Sequence, residues 1–110
     1  MKIKTNKLSG LALDWAVAKC ENPEWSDEDA ICNVTMFDDY DGTICNYSTD
    51  WAQGGPIIER EGIAIDFDGD DWCASTNAKP LAARTPLIAA MRCYVASKLG
   101  DVVDVPGELA

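Results

Sequence analysis

Histidine is absent from all 110 residues. That removes Ser-His-Asp and Cys-His nucleophilic catalysis, histidine-bearing catalytic metal sites, and the commonest general base near neutral pH. Only catalysis by carboxylates, lysine or metal is left, so the chain is expected to be non-enzymatic, with no catalytic residue and no cofactor. Cysteine is present five times (Cys20, Cys32, Cys45, Cys73, Cys93), yet no two form a C-x-x-C pair and no zinc-ligand pattern results. Their odd number, and the helical patterns around Cys20 and Cys93, point to reduced thiols rather than a disulfide scaffold. Cations are scarce: 9 Lys and Arg stand against 19 Asp and Glu, a net charge of -10. They are scattered along the sequence, so phosphate backbones are repelled and no direct nucleic-acid contact is expected. No apolar run approaches the roughly 20 residues that span a bilayer. The opening "MKIKTNKLSG" has lysines without the apolar stretch of a signal peptide, so neither a membrane nor export is expected.

What is present fits one domain over residues 1–110, with 47% apolar residues. "MKIKT" reads as a short strand. "GLALDWAVAKC" (10–20) reads as a helix with Ser9 as N-cap and apolar residues on two sides, the pattern of a helix sandwiched in a core. Residues 21–50 read as polar and irregular, apart from "ICNVTMF" (31–37), whose alternation predicts a strand. "PIIERE", "GIAIDF" and "WCAST", with the Asp-Gly turn of "DGDD", predict three antiparallel strands over 57–76, followed by a loop over 77–84. "TPLIAAMRCYVASKL" (85–99) is the clearest helix, with Thr85 as N-cap, Pro86 in the first turn and Gly100 after the last. "DVVDVPGELA" predicts a short strand before a frayed tail. The expectation is α+β: a small antiparallel β-sheet of three to five strands packed against two α-helices.

Three stretches, "LDWAVAK" (13–19), "STDWAQGGPIIERE" (48–61) and "TPLIAAMRCYVASKLGD" (85–101), together resemble the NinX-like proteins, small proteins of tailed bacteriophages and prophages filed as a domain of unknown function. The resemblance extends over nearly the whole chain. It implies a phage accessory protein at work in the cytoplasm of an infected host bacterium, and it brings no catalytic residues with it. By analogy of gene neighbourhood, such proteins blunt host defences by capturing a signalling molecule, blocking an effector or imitating DNA.

The least ordinary stretch is "STDWAQGGPIIERE". As a ligand site it offers Trp51 for stacking, the amides around Gly54 and Gly55 for an anion, and Arg60 for a phosphate or carboxylate. As plain structure, Trp51 fills core, Asp50 caps a turn and the glycines reverse the chain. Asp14 and Arg92 each interrupt an apolar helix. An acid and an arginine entering one core are expected to meet, as a structural ion pair or as the lining of a pocket, unless both reach solvent. "DFDGDDW" (66–72) has acids in the spacing of a calcium loop, but its glycine is misplaced, and a hairpin tip is expected. The acids at 27–29, 38–41 and 66–71 are solvated loops or a phosphate-like array.

These readings converge on a binder of a small anionic or nucleotide-like ligand, with Trp51, Gly54, Gly55, Arg60, Arg92 and Asp14 as candidate residues and no metal. The alternative partner is a host protein, inhibited by the acidic surface acting as a DNA mimic. A homo-oligomer is compatible with either.

Overall fold

The computed structural model describes residues 1–36, 44–76 and 80–110. At its centre is a helix, α4 (Pro86–Leu99), that packs against two other helices and the larger of two sheets. Its sequence explains that position. Leu87, Ala89, Ala90, Met91, Cys93, Tyr94 and Val95 are all buried, so the helix is apolar nearly all round and must be covered on several sides. Its start follows the sequence signal: Thr85 accepts a hydrogen bond from the Ile88 amide at 3.1 Å, with Pro86 in the first turn.

Helix α1 (Gly10–Glu21) lies beside α4 and is likewise buried over Ala12–Ala18. Ser9 occupies its N-cap position in an extended conformation, without a side-chain cap bond. Among the described residues the strands form two antiparallel sheets. In the smaller, β1 (Lys2–Lys4) pairs with β5 (Val102–Asp104), Ile3 opposite Val103. In the larger, β2 (Ala64–Phe67), β3 (Trp72–Ser75) and β4 (Leu81–Ala83) lie in that order. The β2–β3 hairpin turns at the Asp-Gly pair, as its sequence predicts. The Asp68 carboxylate accepts from the Asp70 and Asp71 amides, and Gly69 takes a φ of 103° that few other residues adopt.

The α+β class stands, with four helices and two sheets among the described residues. Two predicted strands are helices. Residues 31–35 belong to α2 (Asp27–Thr35), where Ser26 and Asp29 form a reciprocal capping box and three acids occupy the first turn. The apparent alternation of Cys32, Val34 and Met36 misleads, because the buried pair is Ala30 and Val34, one helical turn apart. Phe37 lies outside the described residues.

Residues 57–61 end α3 (Trp51–Glu61), which Asp50 caps by accepting from the Ala52 amide. Gly62 stops it in the left-handed conformation, with the Ile63 amide returned to the Ile58 carbonyl at 3.1 Å. The third strand of the sheet is instead β4, within the segment predicted as loop. The tail, predicted to fray, is tied down: Val105 is buried and its amide donates to the Met1 carbonyl.

Candidate functional site

The six candidate residues do not form one site. Trp51 and Arg60 stand nine positions apart on α3, which places them about 180° around the helix and roughly 13 Å along it. Arg60 belongs to a closed network. Its guanidinium makes two bonds to the Glu21 carboxylate, at 3.0 and 2.6 Å, and one to Glu61 at 2.9 Å. Tyr94 donates its hydroxyl to the same Glu21 at 2.5 Å, and Lys98 pairs with Glu61 at 3.4 Å. The Arg60 guanidinium, with the Tyr94 hydroxyl assisting against burial, holds the Glu21 carboxyl below its usual value. The same carboxylates push Arg60 up, Glu21 foremost. Every strong partner Arg60 needs is already inside the protein.

The two glycines reverse nothing, being interior to α3. Gly54 has a packing role. A methyl group there would lie 2.5 Å from the Leu87 side chain and 2.7 Å from the Tyr47 carbonyl oxygen, so its absence lets α3 approach α4. At Gly55 nothing lies within 4 Å.

Asp14 and Arg92, expected to meet, do not. Asp14 is buried and accepts from the Ser48 amide at 2.9 Å, which fixes the segment entering α3. Burial raises its carboxyl above the usual range, against the pull of the Ser48 bonds. Arg92 is held by other partners, its Nε donating to the Leu8 carbonyl at 2.7 Å and its Nη1 to the Ala82 carbonyl at 2.8 Å. Each finds a neutral backbone partner, which satisfies the hydrogen bonds without requiring the opposite charge nearby.

Arg92 thereby reaches a cleft of about 610 Å³ between the segment before α1, the strand β4 and the first half of α4. Lys7 and Arg84 line it too, with Asn6, Ile88 and one carboxylate, Asp71. Three of the nine cations therefore converge on one hollow in a chain of net charge -10, although the sequence scatters them. Neither Lys7 nor Arg84 has an ion-pair partner among the described residues. Backbone carbonyls orient the Arg92 guanidinium but do not cancel its charge, and among the described residues its other N–H groups make no hydrogen bond.

A family model, that of the bacteriophage P22 protein NinX, matches residues 4–98. The chain belongs to the phage P22 NinX family. It is thus a phage accessory protein, and the match runs from the segment carrying Lys7 through both arginines of the cleft to α4. A comparison with curated proteins gives no match. No helix among the described residues is long and apolar enough to cross a membrane.

Lys7 and Arg84 were missed in the sequence. Ile88 and Arg92 share one face of α4 at four-residue spacing, whereas Arg84 precedes the extended Thr85 cap and lies outside the helix. Lys7 carried no such signal, because its placement depends on the tertiary bond from Arg92 to Leu8. The acids at 27–29 open α2, those at 66–71 form the hairpin, and those at 38–41 lie outside the described residues.

Proposed function

We propose that this NinX-family protein is a non-catalytic binder of a small anion, seated in the Lys7–Arg84–Arg92 cleft. The supporting observation is the convergence of three cations against a single carboxylate, among the described residues, in a strongly acidic chain. A cleft of about 610 Å³ is in the size range of small-molecule sites. Asn6 and Ser9 add polar groups at its rim, and Leu81 and Ile88 add apolar wall. The acidic remainder of the surface opposes long-range attraction of polyanions, so the reading favours a small ligand held by local charge. Such a protein acts by retention: present in excess, it lowers the free concentration of a host anion, including a nucleotide-like defence signal.

Calorimetry with pyrophosphate at low ionic strength tests this. The expected result is saturable one-to-one binding, with a melting temperature that rises with ligand concentration. No heat and no thermal shift at millimolar pyrophosphate would overturn the proposal.

A further inference from the structure

A second hollow adjoins the cation cleft. It measures about 220 Å³, is lined by Ser48, Thr49, Trp51, Thr85, Leu87 and Ile88, and shares Ile88 with the cleft. Trp51 is the one tryptophan that stands out from the surface, 52% exposed. The other strongly exposed aromatic ring among the described residues, Phe67, is paired with Trp72 at 5.0 Å between centroids.

The support under Trp51 is firmly built. Asp14 holds the Ser48 amide and Asp50 caps the helix that Trp51 begins. The Gln53 side chain accepts from the Asn46 amide and donates to the Ile44 carbonyl and the Asn46 side chain. The backbone that carries Trp51 is fixed in this way, and among the described residues no aromatic ring or cation stacks on its indole.

We infer that the two hollows form one site for a nucleoside monophosphate, with the base stacked on Trp51, the sugar over Ile88, and the phosphate between Arg84 and Arg92. This rests on the anion reading of the cleft and adds to it the class of ligand. Inorganic anions would use only the cations, whereas a nucleotide carries at its two ends the two chemistries that the hollows offer: a π-face and a dianion. Ile88 lines both hollows, Arg92 follows it by one turn on α4, and Arg84 lines the cleft from the segment between β4 and the helix, so one side chain separates the aromatic from the charged half. In this arrangement Asp14 is a positioning residue: it touches no ligand and fixes the segment on which Trp51 stands.

The test uses the full chain and calorimetry with the four ribonucleoside 5′-monophosphates against ribose 5-phosphate. At least one nucleotide is expected to bind roughly 10-fold or more tightly than the sugar phosphate. Trp51→Ala should weaken that nucleotide about 5- to 150-fold while leaving ribose 5-phosphate unchanged, and Trp51→Phe should restore most of the loss. Equal affinity for nucleotides and ribose 5-phosphate, or a Trp51→Ala effect shared by both, would overturn the base platform and leave the anion cleft standing. No binding by any of them, together with no binding of pyrophosphate, removes both.

Discussion

Along α4 the protein treats its arginines in two ways. Beside Tyr94, in the second half of the helix, Arg60 is enclosed by Glu21 and Glu61, and its charge is neutralised within the fold. Around Ile88, in the first half, Arg84 and Arg92 share a cleft with Lys7, and among the described residues only Asp71 opposes them. The difference separates a cation that serves stability from cations that remain available to a ligand. It also shows why a net charge of -10 says little about any one site: acids crowd one arginine and leave another pair nearly alone.

Charge reversal at the two positions should break the comparison most sharply. Arg84→Glu removes a positive charge from the cleft and adds a negative one, and anion affinity should fall about 100-fold, close to 2.7 kcal/mol. Its stability should stay within about 0.5 kcal/mol of the parent, because Arg84 is exposed and has no ion pair among the described residues. Arg60→Glu should do the reverse, placing a third carboxylate beside Glu21 and Glu61 and lowering stability, with anion affinity unchanged. Calorimetry and urea denaturation on both variants check this. Equal loss of affinity in the two would mean that the cleft is not distinct.

Glu21→Ala probes the closed network from its acidic side. It strips Arg60 of its two-point partner and leaves the hydroxyl of the buried Tyr94 without its acceptor. The cost should be about 2 kcal/mol, a drop in melting temperature of roughly 8 °C or more for a domain of this size. The sign of the pH effect follows from the lowered Glu21 value. The folded state binds its proton less readily than the unfolded chain, whose ordinary glutamate value is 4.5. The stabilisation is therefore complete above that pH and is lost as pH falls through the folded value beneath it. Denaturation from pH 7 to pH 3 should show parent and variant converging at the acid end.

The sequence carried these two regions unequally. Helix α4 was legible because cap, proline and terminal glycine agree with a continuous apolar pattern, and so were the helix at 10–20 and the hairpin at 64–75. Helices α2 and α3 were misread where short apolar runs fit two periods at once. At α2 the capping box of Ser26 and Asp29 decides the outcome. At α3 the pair of glycines and Pro56 suggest a turn, yet burial of Gly54 and Ile57 against α4 overrides that local preference. Of the site residues, Arg92 was identified as an interruption of an apolar helix, but its partners were not. Hydrogen bonds to the carbonyls of Leu8 and Ala82 leave no trace in side-chain identity. For the same reason the convergence of Lys7 with the arginines could not be read from spacing.

The two regions are joined by α3, which starts with Trp51 beside the cleft and ends with Arg60 in the network, so its seating on α4 should govern both. Gly54 sets that seating. In Gly54→Ala the new methyl meets the Leu87 side chain, which can rotate, and also the Tyr47 carbonyl oxygen, which belongs to the backbone and cannot yield so easily. The expected cost is about 1–3 kcal/mol. Gly55→Ala is the control on the next residue: its Cβ meets nothing within 4 Å and its φ is not positive. There the better helix former should gain up to about 1 kcal/mol. Urea denaturation of the two variants reads the difference directly, and two equal responses would show that the glycines serve no distinct packing role. If Gly54→Ala also alters anion binding while Gly55→Ala does not, the seating of α3 is what couples the closed network to the open cleft.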